Sequence, residues 1–425
     1  MEVWNDERVP NRSSITCQDR IKSKLPILLW ITTYSFSQFL HDLLAGFTVT
    51  LTQIPQGIAY AIIAGLPTQY GLYCSIMGGV VYFFFGTCKD INIGPTAILS
   101  LFVQNSVRTL GPAGGILITF LSGAVIFIAG ILRLGFLVEF FSFPIISGFT
   151  TAAALSIASS QLKQLLGIPG PASVFLEAWI SFFTNITEAK KWDSILGVIS
   201  IVFLFGFREI RRFGSLKHKP EWSRNRNTIG KCIFLFSLGG NAIVIIAGTS
   251  IAFVADKYYN ATPVKLTGDV ARGLPAFSLP PFTLNYNGTY YSFGDMLAHY
   301  NSLLAFIPLV AFLGHVSIVK AFTKGKVIDN TQELIALGLC NMAGSFIQSM
   351  PVTGSFTRTA VNNASGVRTT TSGLITSFMI VISLVLLTGA LKYIPKATLA
   401  AVIVVAMYYL CDFIGVVVMW KMKRA

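Results

Sequence analysis

Apolar runs of about 20 residues, the length that carries a helix across a bilayer, recur along the chain between short polar, basic or Gly/Pro-rich breaks. They predict membrane spans over residues 40–63, 70–85, 114–132 and 135–165. Further spans are predicted over 193–207, 229–254, 293–319, 334–347, 370–391 and 397–418. Residues 174–187 read as a short helix near the outer surface, and 255–292 as a polar loop rich in Pro, Tyr and Asn. The expected fold class is an all-α polytopic membrane protein. Pro55 falls inside the first span, where it removes a helix hydrogen bond. Gln53 and Gln56, three apart, share a face of that helix.

Two stretches break the pattern. Residues 86–100 read G-T-C-K-D-I-N-I-G-P-T-A-I-L-S. Residues 91–93 look extended, Gly94 permits a sharp turn, and Pro95 suits the first position of a helix. Thr96 offers a hydroxyl at that helix start, and the half-helix is expected to run to residue 107. Residues 350–366 read M-P-V-T-G-S-F-T-R-T-A-V-N-N-A-S-G. Pro351, Gly354 and Gly366 interrupt this stretch, hydroxyl residues crowd it, and Arg358 sits in its middle. It reads as an extended lead-in over 348–353 and a half-helix that starts near Gly354 inside the membrane. A helix start presents unpaired N–H groups and a positive dipole end. With Arg358 one turn further in, it is a candidate anion seat. An arginine at membrane depth is costly enough to be a functional candidate by default. Singly, each stretch reads equally well as a re-entrant loop with packing glycines. Together, one in each half, they point to a transporter site built on an inverted repeat.

Composition supports the membrane reading: 53% of residues are hydrophobic and 12% charged, against about 25% charged in soluble domains. Mean hydropathy is +0.66. The net charge of +14 invites a nucleic-acid partner, but none is expected, because the positive-inside rule accounts for the charge. With a cytoplasmic amino terminus, roughly 22 Lys and Arg fall on cytoplasmic segments and roughly 9 outside. Asn185, Asn260 and Asn287 then face outward in N-x-S/T tripeptides, as candidate glycosylation sites. The first 24 residues are polar and of mixed charge, so the first span is expected to act as its own insertion signal. Six cysteines are scattered without a C-x-x-C pair, so neither a disulfide framework nor a metal site follows.

No catalytic constellation emerges: no paired carboxylates, no H-E-x-x-H, no phosphate-loop motif. An enzyme is not expected, nor a cofactor. His315 lies well inside a span and reads as a packed, hydrogen-bonded histidine. Gln332 and Glu333 open a helix at its cytoplasmic end, where the dipole accounts for an acid. The magnitudes suit an anion. At roughly 7 Å and an effective dielectric of about 20, a unit charge and Arg358 attract by about 2 kcal/mol, and a dianion by about twice that. Stripping water from the ion costs several kcal/mol. A balance near zero suits a carrier, which must also release.

At G-L-P-T-Q-Y-G-L-Y, residues 65–73, the sequence resembles the sulfate permease family of anion transporters. The likeness continues through I-P-Q-G-I-A-Y-A, F-F-F-G-T-C-K-D-I-N-I-G-P-T-A-I-L-S, D-N-T-Q-E-L-I-A-L-G and P-V-T-G-S-F-T-R-T-A-V-N-N-A-S-G-V. Within the family it is strongest to the sodium-independent sulfate anion transporters of animals. The resemblance implies a seven-plus-seven inverted-repeat transporter fold with core and gate domains, forming a homodimer. The domains would be a cytoplasmic tail over 1–38, core over 39–134 and 293–392, and gate over 135–254 and 393–425. An extracellular loop would cover 255–292. The anion would sit between the third and tenth half-helices, touching Gln56, Tyr60, Thr96, Ser355, Thr357 and Arg358. Two departures stand out. Many proton-coupled relatives carry a glutamate six residues before the basic end of the eighth span. That count falls on Gly314 here, beside His315, so coupling through that carboxylate is not expected. The family also continues with two more gate spans and a STAS domain. The chain stops after about the twelfth span, so a truncated fold without STAS is expected.

The function expected from all this is secondary active transport of an inorganic anion, sulfate first. The alternatives are a chloride, bicarbonate or oxalate exchanger, a chloride channel of the same fold, or a truncated, non-transporting membrane subunit. Membrane lipid is the expected surrounding, in the plasma membrane or an endolysosomal membrane. Nucleobase permeases share the architecture but use carboxylates at the site, which disfavours them.

Overall fold

The computed structural model describes residues 24–136, 143–168, 175–216, 239–259, 263–268, 273–323 and 329–411. Long helices dominate it. The first, α1 (Phe36–Ala64), opens with a capping box: Ser35 Oγ accepts from the Gln38 amide, and Gln38 Oε1 accepts from the Ser35 amide. It closes on Gly65 in the left-handed conformation, φ 72°, which a glycine adopts at no steric cost. Helix α2 (Thr68–Phe85) folds straight back. The two touch backbone to backbone, since a Cβ on Gly71 would lie 1.9 Å from the Gly57 carbonyl oxygen. Strand β1 (Ile93–Gly94) and helix α3 (Ala97–Ile131) follow. The expected half-helix and fourth span run together as α3, broken only at Gly111 (φ 67°, ψ −170°) just before Pro112.

Next come α4 (Phe143–Leu165), the short α5 (Phe175–Thr184), α6 (Lys191–Leu216) and α7 (Gly240–Tyr259). The expected span over 229–254 is thus seen from Gly240 on, with 229–238 outside the described residues. The 255–292 region is more than a loop: β2 (Leu284–Tyr286) and β3 (Thr289–Tyr291) form an antiparallel hairpin turning on Asn287 and Gly288. The expected span over 293–319 is two helices, α8 (Phe293–Tyr300) and α9 (Leu303–Phe322). They part at Asn301, whose φ of 40° is incompatible with a continuing helix. Helix α10 (Asn330–Ser345) is capped by Asp329, whose Oδ1 accepts from the amides of Thr331 and Gln332. Strand β4 (Thr353–Gly354), α11 (Phe356–Ala364), α12 (Thr371–Leu386) and α13 (Lys396–Leu410) complete the described order. The described part of the expected 1–38 tail is structured. Ile27–Trp30 is already helical, and Trp30 is buried edge-on against Phe83.

The helices sort into two packed groups. Helix α3 packs on α10, and α12 packs on α1 and α2, while α13 packs on α4 and α6. Among the described residues, four helices are long and apolar enough to cross a membrane: Phe36–Ala64, Ala97–Ile131, Gly240–Tyr258 and Leu303–Phe322. Their outward side chains fit lipid. Along α6, Ile195, Val198, Ile199 and Val202 are exposed in a helical stripe, a face that is costly in water but free of penalty against acyl chains.

Candidate functional site

The two interrupted stretches meet. Strands β1 and β4 pair antiparallel, Ile93 opposite Gly354 and Gly94 opposite Thr353. The Ser355 amide donates to the Asn92 carbonyl (3.3 Å), and the Asn92 amide to Thr359 Oγ1 (3.4 Å). Asn341 on α10 holds the lead-in from the side: Oδ1 accepts from the Val352 amide (2.8 Å), and Nδ2 donates to the Val352 carbonyl (3.0 Å). Each strand runs directly into a helix, so the starts of α3 and α11 share one crossing. The first amides of both helices have no intrahelical acceptor. Their N-caps, Thr96 and Ser355, make no side-chain capping bond, which leaves both hydroxyls for other partners.

Arg358 is locked into this crossing. Its Nε donates to Asn92 Oδ1 (2.8 Å) and its Nη1 to the Pro95 carbonyl (2.9 Å), with Gln56 Oε1 at 3.5 Å. The side chain is 0% exposed, and Nη2 has no hydrogen-bond partner among the described residues. A buried guanidinium N–H left unpaired is costly, so this atom is a ready donor. Gly94 is explained by the same arrangement. It lies in the strand rather than at a sharp turn, and a Cβ there would meet Gln53 Nε2 at 2.7 Å and Arg358 Nη2 at 3.0 Å. Pro95 is also not the first helical residue as expected. It precedes the N-cap Thr96, and its role is to offer the carbonyl that Arg358 takes.

Of the six residues expected here, Gln56 and Arg358 are in hydrogen-bond contact, and Ser355 Oγ lies 3.2 Å from Thr357 Oγ1. Thr96 follows Pro95 at the start of α3, and Tyr60 is buried one turn beyond Gln56. A cavity of about 60 Å³ abuts the crossing. Gln56 and Thr357 line it, whereas Tyr60, Thr96, Ser355 and Arg358 do not. Its opposite wall carries Arg208 and Asn241 from α6 and α7. Sequence reasoning did not assign Asn92, Gln53, Arg208 or Asn241 to the site, although it set Gln53 on the same face as Gln56. The first two stand in motifs already singled out, and a search for polar residues flanking Gly94 and Gln56 finds them.

A second polar cluster lies beside the crossing. His315 Nε2 is 2.5 Å from Glu333 Oε2, and both side chains are fully buried. Glu333 also accepts from the Tyr82 hydroxyl (2.9 Å), the Thr87 amide (3.0 Å) and the Thr87 hydroxyl. The packed, hydrogen-bonded reading of His315 fits this geometry. The dipole account of Glu333 does not suffice, because Asp329 already caps α10 and Glu333 points into its own set of donors. Of the glycosylation candidates, Asn287 is exposed at the hairpin tip, whereas Asn185 is half-buried and donates to Ser181 Oγ (3.3 Å). Asn260 lies outside the described residues.

A sequence model of the sulfate permease family matches residues 39–425. The sodium-independent sulfate anion transporter of Bos taurus is 40% identical over 405 residues, covering 94% of this chain and 66% of the bovine one. Sulfate transporter 4.1, chloroplastic, of Arabidopsis thaliana is 34% identical over 420 residues, covering 96% of this chain and 56% of that protein. The chain therefore spans less than two thirds of these relatives' length. Among solved structures, the murine Solute Carrier 26 family member A9 anion transporter superposes with a TM-score of 0.77 at 23% identity, over 98% of this chain and 68% of that one. The transmembrane domain of a cyanobacterium bicarbonate transporter, BicA, gives 0.71 at 18% identity, over 89% and 91%. At such identities the likeness establishes the fold.

Proposed function

The chain belongs to the sulfate permease family, and from that premise we propose that it is a secondary active anion transporter with sulfate as its main substrate. It is a multi-pass membrane protein with a helical membrane-transporter fold. The observation that carries the proposal is the crossing of β1 and β4, where two helix starts and the unpartnered Nη2 of Arg358 converge. Among the described residues, the one charged group there with an unbonded atom is the Arg358 guanidinium, a donor, which suits an anion and not a cation. Gln56, Tyr60, Thr96, Ser355, Thr357 and Arg358 form the anion site in this reading. Arg358 supplies the charge, and the amide and hydroxyls supply neutral bonds.

The two helix groups support a division into core (39–134 and 293–392) and gate (135–254 and 393–425), related by a seven-plus-seven inverted repeat. Transport would follow from one group rocking against the other around a fixed site. A homodimer and a cytoplasmic amino terminus, in the plasma or an endolysosomal membrane, complete the reading. A paired measurement tests it: sulfate binding by the purified chain in detergent and labelled sulfate flux in liposomes. Sodium-independent binding displaced by competing anions is expected. Absence of both sulfate binding and flux overturns the proposal.

A further inference from the structure

We propose that a second cavity, at the other end of the seam between the two helix groups, is a holding station where an inorganic anion waits with part of its water shell before it reaches the crossing. This rests on the anion-transport reading above. Strands β1 and β4 are antiparallel and each runs directly into a helix, so α3 and α11 leave the crossing in opposite directions. The cavity already described lies on the α11 side, against Gln56 and Thr357. The second, of about 150 Å³, lies on the α3 side. Ile63 and Gln104 mark one of its walls. At 1.5 Å per residue they stand about 10 Å beyond Gln56 along α1 and about 12 Å beyond Thr96 along α3. The other wall is α4, which packs with α13 in the second helix group. The two cavities thus flank the crossing along one seam.

Amides dominate the polar lining: Gln104 on α3, and Gln161 and Gln164 on α4 beside Ser160. Gln161 is 2% exposed. Its Nε2 donates to Ser160 Oγ (3.1 Å), and that hydroxyl donates to the Ile157 carbonyl (2.8 Å). Gln161 Oε1 has no hydrogen-bond partner among the described residues. A buried acceptor left unpaired is costly, and a polar space of this size holds water, which needs only about 10–15 Å³. Lys163 also lines the cavity, with its ammonium donating to Ser181 Oγ, and the station needs only the amides. An acceptor such as Gln161 Oε1 repels a bare anion. It takes one hydrogen of a water, whose other hydrogen then points at an anion in the cavity. Gln104 and Gln164 bring amide N–H donors. An anion held this way keeps part of its shell and gives it up only at the crossing, where the charge of Arg358 offsets the loss. The desolvation cost is thereby divided over two stops.

Cysteine labelling of the purified full chain tests this, with an anionic thiosulfonate reagent and mass spectrometry of the peptide that carries the introduced residue. Gln104→Cys and, as a second reporter, Gln164→Cys should be labelled, and sulfate should slow the labelling while an uncharged sugar does not. Adding Arg358→Gln weakens sulfate at the crossing, but the sulfate concentration that halves labelling at Gln104→Cys should stay within about twofold. Adding Gln161→Leu should raise that concentration about threefold, the loss of one neutral, water-mediated bond. No labelling of either reporter, or labelling that sulfate does not slow, overturns the inference. So does protection that falls in step with the calorimetric sulfate affinity in Arg358→Gln, which marks a single site, and so does parent-like protection in Gln161→Leu. In each of these cases a parent chain that binds sulfate in calorimetry leaves the transport reading standing. A parent chain that binds no anion overturns both.

Discussion

Gly94→Ala is the smallest change that probes the crossing. Gly94 has no positive φ, so alanine can adopt its backbone and the cost is one of space alone. The added Cβ would lie 2.7 Å from Gln53 Nε2 and 3.0 Å from Arg358 Nη2, where ordinary contact needs about 3.5 Å or more. Gln53 can yield at little cost, because its bond to the Ile93 carbonyl is already long at 3.4 Å. Arg358 cannot, because moving the guanidinium strains its 2.8 and 2.9 Å bonds to Asn92 and Pro95. Overpacking of this kind costs about 1–3 kcal/mol, and the stiffer unfolded chain returns about 0.4–1 kcal/mol. The expected net loss is about 1–2 kcal/mol in a detergent-titration unfolding assay. Sulfate affinity should fall about tenfold, the equivalent of 1.4 kcal/mol. Gly354→Ala on the partner strand is the control. Its Cβ would meet His315 Nδ1 and Ile91 Cδ1 at 3.3 Å, so a shift of tenths of an ångström suffices and the loss should stay under about 1 kcal/mol. Parent-like stability and affinity for Gly94→Ala, or equal damage from both variants, would refute the reasoning.

Arg358→Gln should weaken sulfate more than chloride, since the lost attraction of about 2 kcal/mol per unit charge doubles for a dianion; equal weakening in parallel titrations counts against a charge role. Glu333→Ala should destabilise the protein by about 3–5 kcal/mol, because it leaves a buried His315 without its partner. The double variant His315→Leu/Glu333→Leu should lose less than the sum of the two single changes, and additivity in that cycle would argue that the 2.5 Å contact carries no coupling. If the histidine is structural, His315→Asn leaves the pH profile of transport unchanged, and a shifted profile would assign it a titrating role. In glycosylating cells, Asn287→Gln should remove a glycan-dependent gel shift, whereas Asn185→Gln should not; the reverse outcome would place the hairpin tip away from the glycosylating side.

The broad architecture was legible because membrane spans are written in plain runs of apolar residues, and the two breaks were legible because Pro, Gly and Arg are rare at that depth. That the chain is extended around Ile93 and on the approach to Thr353 also followed from sequence, although the expected lead-in over 348–353 begins on a turn, with Gln348 at a φ of 62°. That the two stretches pair with each other did not, since a two-residue ladder leaves no periodic trace. The role of Gly94 was misread for the same reason: what excludes a Cβ there is Arg358, which lies far along the chain. The missed hairpin was in reach, because Asn287–Gly288 between aromatic residues is a strong turn signal that the polar composition of 255–292 obscured. The split at Asn301 was harder, because nothing in an otherwise apolar run marks a backbone reversal at an asparagine. Glu333 shows a further limit. Its place near a helix start suggested a dipole partner, and only the fold reveals the histidine on the neighbouring helix.

The pairing of β1 with β4 also constrains how the protein is made. Asn92 and Arg358 are 266 residues apart, and ribosomes add about 5–20 residues per second. For roughly 13 to 50 s during synthesis, the extended segment around Ile93 has therefore been made while its partner has not. Its backbone amides and carbonyls cannot face acyl chains unpaired during that interval. The nascent first half must keep that segment in a hydrated or protein-lined place, and only the arrival of Thr353 and Gly354 lets it settle.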